Sequence, residues 1–139
     1  MMIFGATGDL TKRKLFPAIY NLAKDGHIPD SFAVIGIGRQ ELTSEEFRGQ
    51  ILDDLGEFTP NGADEDLLNW FEQRTYYTGG DFDDDKQLFG DIKDLASKVC
   101  AEHNIPANFF YYMAIPPGLF ANVARKIVDN GLGREENGN

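Results

Sequence analysis

Short runs of apolar residues alternate with amphipathic stretches along this chain, and that alternation restricts its fold more than any other feature. Residues 2–4, 32–38 and 109–115 consist of apolar residues and glycine without interruption. Unbroken apolar runs are typical of strands covered on both faces, as in a parallel sheet. The pattern therefore predicts an α/β fold with a doubly wound parallel sheet and right-handed crossovers.

Helical spacing fills the segments between these runs. It predicts helices at 17–24, from the capping box of Thr43 and Glu46 onward, around Leu67 to Phe71, at 84–103 and from Pro117, with a further strand at 74–78. The residues expected on the apolar faces of the first and last helices are Ala18, Ile19, Leu22 and Ala23, and Phe120, Val123, Ala124 and Ile127. Gly26 is expected to end the first helix.

Composition excludes several classes of function. The chain has 139 residues, which suits one domain over residues 1–139. A net charge of −10 argues against a nucleic-acid surface, because a polyanion requires a basic face. No apolar stretch reaches the ~20 residues that span a bilayer, so we expect no membrane contact. Cys100 is the only cysteine, which excludes disulfides within the chain and suggests a reducing cytoplasm.

A glycine turn follows the first predicted strand. Gly5 and Gly8 would let the backbone turn sharply and approach a pyrophosphate, with donors supplied by backbone amides and the next helix. Two glycines three residues apart also occur in ordinary turns. Their position after a first strand and before a helix favours a Rossmann-type dinucleotide-binding domain.

Two groups of cations bear on the choice of nucleotide. Lys12, Arg13 and Lys14 follow the turn directly, and we expect at least one lysine to meet an anion there. Arg39 ends the second strand, where an arginine suits the 2′-phosphate of NADP and an acid suits the ribose hydroxyl of NAD. Glu41 lies two residues further on, so NADP is favoured and NAD stays open.

Three segments in order resemble the N-terminal part of glucose-6-phosphate dehydrogenases: residues 4–17 (FGATGDLTKRKLFP), 36–40 (GIGRQ) and 110–117 (FYYMAIPP). The first is the most specific, since a Gly-Asp-Leu followed by a basic triplet and Leu-x-Pro is unusual among dinucleotide folds. The resemblance implies oxidation of glucose 6-phosphate to its lactone with NADP, the entry step of the pentose phosphate pathway. It also implies a homo-oligomeric parent enzyme.

The same resemblance assigns a cofactor site. By that assignment the residues around NADP are Gly5, Ala6, Thr7, Gly8, Asp9, Leu10, Thr11, Lys12, Lys14, Arg39 and Tyr112. The turn would hold the diphosphate, Arg39 the 2′-phosphate, and Tyr112 would lie along the cofactor. Lys14 would face the junction of cofactor and sugar phosphate. Thr11 stands where the family often has alanine or glycine, which affects only the packing of the helix.

Segments that the family uses for catalysis are not found in this sequence, neither Glu-Lys-Pro nor Arg-Ile-Asp-His-Tyr-Leu-Gly-Lys. We therefore expect the domain to be incomplete at its C-terminal end, with no catalytic residue and no metal site. Proton removal from a sugar hydroxyl needs a positioned base, and His27 and His103 are both expected to face solvent. The prediction is weak cofactor binding or none, and no turnover by this chain alone.

Two other functions fit parts of the sequence. Tyr20 and Lys24 have the Tyr-x-x-x-Lys spacing of short-chain reductases, but they lie on the first helix, far upstream of that family's position. A free-standing NADP sensor is the second alternative. The acidic run at residues 81–85 is expected to be a helix lead-in rather than a cation site, because nothing after it completes a calcium loop.

Overall fold

A computed structural model describes residues 1–58, 64–81 and 85–132. Its centre is a four-stranded parallel sheet in the order β3-β2-β1-β4. The strands are β1 (Met2–Phe4), β2 (Val34–Gly38), β3 (Thr75–Gly79) and β4 (Tyr111–Met113). The prediction of a parallel α/β sheet is confirmed.

Helices cover both faces of the sheet. Their bounds are α1 (Phe16–Lys24), α2 (Ser44–Phe58), α3 (Glu65–Gln73), α4 (Asp85–Glu102) and α5 (Phe120–Asp129), with a π-helical turn at Thr11–Leu15 and a 3₁₀ turn at Pro117–Leu119. Helices α1, α2 and α3 pack on one face with Ile3, whereas α4 and α5 pack on the other face with Met2 and Phe4. This two-sided cover confirms the doubly wound arrangement. No helix among the described residues is both long and apolar enough to cross a membrane.

The chain order creates a switch point beside β1. From β1 the chain moves to β2 and β3 on one side, then crosses to β4 on the other. Phe4 at the end of β1 pairs with Ile37 of β2 and with Met113 of β4. In open sheets of this type, ligands bind outside the carboxyl ends of the strands at such a reversal. The fold therefore locates the candidate site at the turn after Phe4.

Two strands are shorter than the sequence predicted. β2 begins at Val34 rather than 32, and β4 covers residues 111–113 rather than 109–115. β4 is short because β1, its partner strand, offers only three residues for pairing. All three β4 residues are half-buried rather than buried, because β4 has a strand on only one side within the described chain.

Helix α1 covers Phe16–Lys24 with Pro17 in its first turn, as predicted. The sequence did not predict the helical backbone that precedes it from Asp9, where the Phe16 amide donates to the Thr11 carbonyl five residues back. Proline lacks an N–H and its ring clashes with the carbonyl four residues earlier, and a five-residue turn accommodates it at position 17. Gly26, with a φ of +76°, follows the end of α1 as predicted.

The expected apolar faces are only partly right. On α1 the buried residues are Phe16, Ile19 and Tyr20, while Ala18 and Leu22 are exposed. The face is shifted because the wide turn rotates the helix. On α5, Val123 and Ile127 are buried, but Phe120 and Ala124 are exposed.

Helix α2 begins with the predicted capping box. The Glu46 amide donates to Thr43 Oγ1 at 3.1 Å, and the Thr43 amide donates to Glu46 Oε1 at 3.3 Å. These reciprocal bonds satisfy two backbone donors that the first turn would leave without acceptors. They also fix the start of α2 just beyond the end of β2.

Candidate functional site

The turn after β1 meets the segment after β4. The Ala114 amide donates to the Phe4 carbonyl at 2.8 Å, which extends the pairing of β1 and β4 into the turn. Gly5 has a φ of +85°, and a Cβ there would lie 2.1 Å from the Ala114 carbonyl oxygen. The protein's own backbone thus accounts for the glycine at position 5, and the approach of this turn to a pyrophosphate stays a prediction. Gly8 is exposed, and a Cβ there would meet only the Gly5 carbonyl, at 3.3 Å.

Three amides of the turn are bonded inside the protein. Gly5 and Ala6 both donate to the Ile37 carbonyl, at 2.8 and 3.1 Å, and Gly8 donates to the Gly5 carbonyl at 3.1 Å. These bonds tie the turn to β2 and fix its shape. They also mean that the amides of Gly5, Ala6 and Gly8 are already occupied.

Donors suited to an anion remain at the start of the helix. The first intrahelical bond runs from the Lys12 amide to the Gly8 carbonyl, at 3.2 Å. The amides of Asp9, Leu10 and Thr11 precede it and have no acceptor within the helix, and of these residues Asp9 and Leu10 are exposed, whereas Thr11 is buried. Helix N-termini with such amides bind phosphate groups readily. This arrangement fits the diphosphate of a dinucleotide.

Side chains of the turn divide into buried and accessible ones. Ala6 and Thr11 are buried, whereas Asp9 and Leu10 are exposed and Thr7 is half-buried. Ala6 packs close to Gly36, where a Cβ would lie 2.9 Å from the Ala6 Cβ. Ala6 and Thr11 therefore support the turn from the core side, while a ligand can reach the side chains of Asp9 and Leu10.

The three consecutive cations face different directions. Arg13 and Lys14 are exposed, but Lys12 is half-buried and faces Asp54 of α2. Burial raises the pKa of the Asp54 carboxyl, and the Lys12 ammonium partly offsets that shift. Asp54 Oδ2 is buried and has no hydrogen-bond partner among the described residues. Lys14 is more exposed than Lys12 and is therefore the more accessible of the two lysines to a ligand.

Arg39 lies in the bend after β2, exposed at the carboxyl end of the sheet next to the turn. The Tyr77 hydroxyl donates to the Gln40 carbonyl at 2.5 Å, and burial raises the pKa of Tyr77 to about 12, so this donor keeps its proton. A Cβ at Gly79 would lie 2.1 Å from the same carbonyl oxygen. Tyr77 and Gly79 therefore hold the bend that carries Arg39.

The sequence interpretation missed both supporting residues. Tyr77 looked like an ordinary strand residue, and only the parallel register of β2 and β3 brings Tyr77 and Gly79 beside Gln40. Beside the bend is an open cleft of about 370 Å³ whose lining includes Glu41, Thr43 and Gly79. Glu41 thus lines a cleft beside the bend, and the choice between NADP and NAD stays a prediction.

Tyr112 lies in the middle of β4, paired with Ile3. It is half-buried and packs toward the core formed by α1, α2 and α3. Its position is one residue before the carboxyl end of the strand. A contact between Tyr112 and a cofactor stays a prediction.

The other candidate residues have structural roles or none. Tyr20 is buried, and its hydroxyl accepts the Asp64 amide at 3.0 Å while Lys24 is exposed, so these two residues do not form a reductase pair. His27 is exposed as expected. His103 is partly exposed, and its Nε2 lies 2.6 Å from the Tyr76 hydroxyl.

The acidic run lies partly outside the described residues, at 82–84. Within residues 1–58, 64–81 and 85–132, no three His, Cys, Asp or Glu side chains are grouped so that they could hold a metal ion.

Comparisons with known proteins agree with this geometry. Residues 2–139 match the family model described as "Glucose-6-phosphate dehydrogenase, NAD binding domain". Glucose-6-phosphate 1-dehydrogenase of Chlamydia pneumoniae is 33% identical over 127 residues, which are 91% of this chain and 25% of the relative. The enzyme of Leuconostoc mesenteroides is 32% identical over 130 residues, covering 93% of this chain and 26% of that protein.

A solved structure matches equally well. It is described as "Glucose-6-phosphate dehydrogenase in complex with its substrate glucose-6-phosphate", and it aligns with a TM-score of 0.79 and 32% identity over 94% of this chain and 27% of its own. The present chain thus spans about a quarter of the length of the relatives it matches.

Proposed function

This chain belongs to the glucose-6-phosphate dehydrogenase family, as its nucleotide-binding domain, and from that premise we propose that it binds NADP at the turn after β1. The observation that carries the proposal is the pair of exposed first-turn residues, Asp9 and Leu10, whose amides lie at the switch point of the sheet. They offer donors and the positive end of a helix where the fold predicts a diphosphate.

The remaining contacts follow from position. Arg39 would bind the 2′-phosphate from the bend held by Tyr77, and Lys14 would add a positive charge beside the turn. In a chain of net charge −10, these local cations offset a field that otherwise repels an anionic cofactor. Ala6 and Thr11 would shape the turn from its buried side, and Lys12 would contribute to the field while facing Asp54.

We propose further that this NADP site serves the oxidation of glucose 6-phosphate at C1 to a lactone, in the cytoplasm and in a homo-oligomeric enzyme. Support comes from the relatives, which are glucose-6-phosphate dehydrogenases, one of them solved with that substrate. Neither histidine lies at the turn: His27 follows α1, and His103 is bonded to Tyr76. The chain would therefore hold the hydride acceptor, and the sugar's proton acceptor would come from elsewhere.

The test is nucleotide binding to the purified chain, measured by calorimetry with NADP⁺ and NAD⁺. Arg39→Gln should weaken NADP⁺ binding about 10- to 100-fold, because charge-assisted hydrogen bonds contribute roughly 1.5–3 kcal/mol, and should leave NAD⁺ binding unchanged. Arg125→Gln, an exposed change on α5, is the matched control and should leave both affinities unchanged.

Equal loss of both nucleotides in Arg39→Gln, or no loss of either, would contradict the proposed role of Arg39. The unsubstituted chain, mixed with NADP⁺ and glucose 6-phosphate, should give no rise in absorbance from NADPH. Turnover would show that the chain contains a base that we have not identified.

A further inference from the structure

Thr11 lies at the wide turn between the glycine turn and α1. Its exposed fraction is 0%, and that of Phe16, five residues later, is 1%. In a regular α-helix, residues four apart share a face, so Thr11 would align with Leu15, which is only half-buried. The π-helical turn at Thr11–Leu15 instead directs Thr11 and Phe16 together into the core.

The buried Thr11 hydroxyl reaches back to the glycine turn. Its Oγ1 donates to the Gly5 carbonyl at 3.0 Å, and the Gly8 amide donates to the same oxygen at 3.1 Å. The other end of this peptide group, the Ala6 N–H, donates to the Ile37 carbonyl. The Gly5–Ala6 peptide plane is therefore fixed at both ends, and Thr11 supplies a side-chain hydrogen bond to it.

We infer that Thr11 is a positioning residue for the diphosphate: its hydroxyl holds the Gly5–Ala6 peptide so that the amides at the helix start keep the orientation that binds phosphate. The inference rests on the proposed function. Thr11's side chain does not touch the nucleotide, because it is buried behind the turn. A turn already held in its binding shape loses less conformational entropy on binding, which increases affinity.

Two substitutions separate positioning from stability. Thr11→Val keeps the shape of the side chain and removes the donor, while the Gly5 carbonyl still accepts the Gly8 amide. Thr11→Ser keeps the donor and removes a buried methyl group. If Thr11 positions the turn, the affinity for NADP⁺ should fall in Thr11→Val, which lacks the hydroxyl, and not in Thr11→Ser, which keeps it. If Thr11 has only a structural role, the affinity of each variant should fall in proportion to its loss of stability.

The probes are NADP⁺, which carries the diphosphate, and adenosine 2′-monophosphate, which carries only the 2′-phosphate that Arg39 would bind. In Thr11→Val the dissociation constant for NADP⁺ should rise about tenfold, the equivalent of one hydrogen bond, and that for adenosine 2′-monophosphate should change less than about twofold. Thr11→Ser should bind both ligands like the parent chain, although it melts at a lower temperature.

A readout without ligand tests the same bond. Hydrogen exchange at the Ala6 and Gly8 amides should be faster in Thr11→Val than in the parent chain, with amides of α4 unchanged. Unchanged exchange and unchanged NADP⁺ affinity would overturn the inference, as would an equal loss of both ligands. If the parent chain binds adenosine 2′-monophosphate but not NADP⁺, or neither, the proposed function fails and the role of Thr11 fails with it.

Discussion

Replacing Gly5 with alanine should destabilise this protein severely, for two reasons that the structure separates. The residue has a φ of +85°, a left-handed conformation that costs a non-glycine residue roughly 1–2 kcal/mol. The new Cβ would also lie 2.1 Å from the Ala114 carbonyl oxygen, whereas ordinary contact begins near 3.4 Å. Relieving that overlap needs a backbone shift of about 1 Å, and overpacking of this kind costs roughly 1–3 kcal/mol. The two contributions together amount to about 2–5 kcal/mol.

Two other glycines provide matched controls. Gly26 also has a left-handed φ, +76°, but nothing lies within 4 Å of a Cβ there, so Gly26→Ala measures the cost of conformation alone. Gly8 has an ordinary φ and only a mild contact at 3.3 Å, so Gly8→Ala should cost less than about 1 kcal/mol. The difference between the free energies of unfolding of Gly5→Ala and Gly26→Ala is therefore the cost of the overlap with Ala114, in the segment after β4.

Equilibrium unfolding in urea measures the free energy of unfolding of each of the three variants, provided that all have the same dependence of that free energy on urea concentration. The account predicts that Gly5→Ala loses about 1–3 kcal/mol more than Gly26→Ala. If the two variants lose the same amount, Ala114 does not fill the space at Gly5.

Two further predictions concern α2. Asp54→Asn should raise the free energy of unfolding at pH 7, whereas Asp53→Asn should not, because Asp54 has a buried oxygen with no hydrogen-bond partner among the described residues and Asp53 is exposed. Burial raises the pKa of Asp54 in the folded state above its pKa in the unfolded state. The contribution of Asp54 to stability is therefore most favourable at a pH below the unfolded-state pKa, and it is lost as the pH rises through the folded-state pKa. The gain from Asp54→Asn should therefore disappear on acidification, and a gain that persists at low pH would contradict this cause. Thr43→Ala removes the capping box and should cost about 1 kcal/mol in thermal or urea unfolding, and no measurable loss would show that the cap is dispensable.

Much of the fold could be predicted because its determinants are local. Unbroken apolar runs at β1 and β2 predicted a two-sided parallel sheet, and the capping box located the start of α2. Pro17 likewise predicted the start of α1, because proline is common in the first turn of a helix. The π-helical turn at Thr11–Leu15 that precedes α1 could not be predicted in this way.

The candidate site was predictable in place but not in working detail. The position of the turn after β1 follows from strand and glycine order in the sequence. The contact of Gly5 with Ala114 joins residues that are far apart in the chain, as does the hydrogen bond from Tyr77 to Gln40. Long-range contacts of this kind depend on strand order and register, which the local pattern does not specify.

The most direct test of the central claim is a ¹H–¹⁵N NMR titration of the labelled chain with NADP⁺, which also detects weak binding. We expect the largest shift changes at the amides of the exposed residues Asp9 and Leu10, with further changes near Arg39 and little change along α4 and α5. Changes centred on another surface, or none at millimolar NADP⁺, would contradict the claim that the helix start after β1 holds the nucleotide's diphosphate.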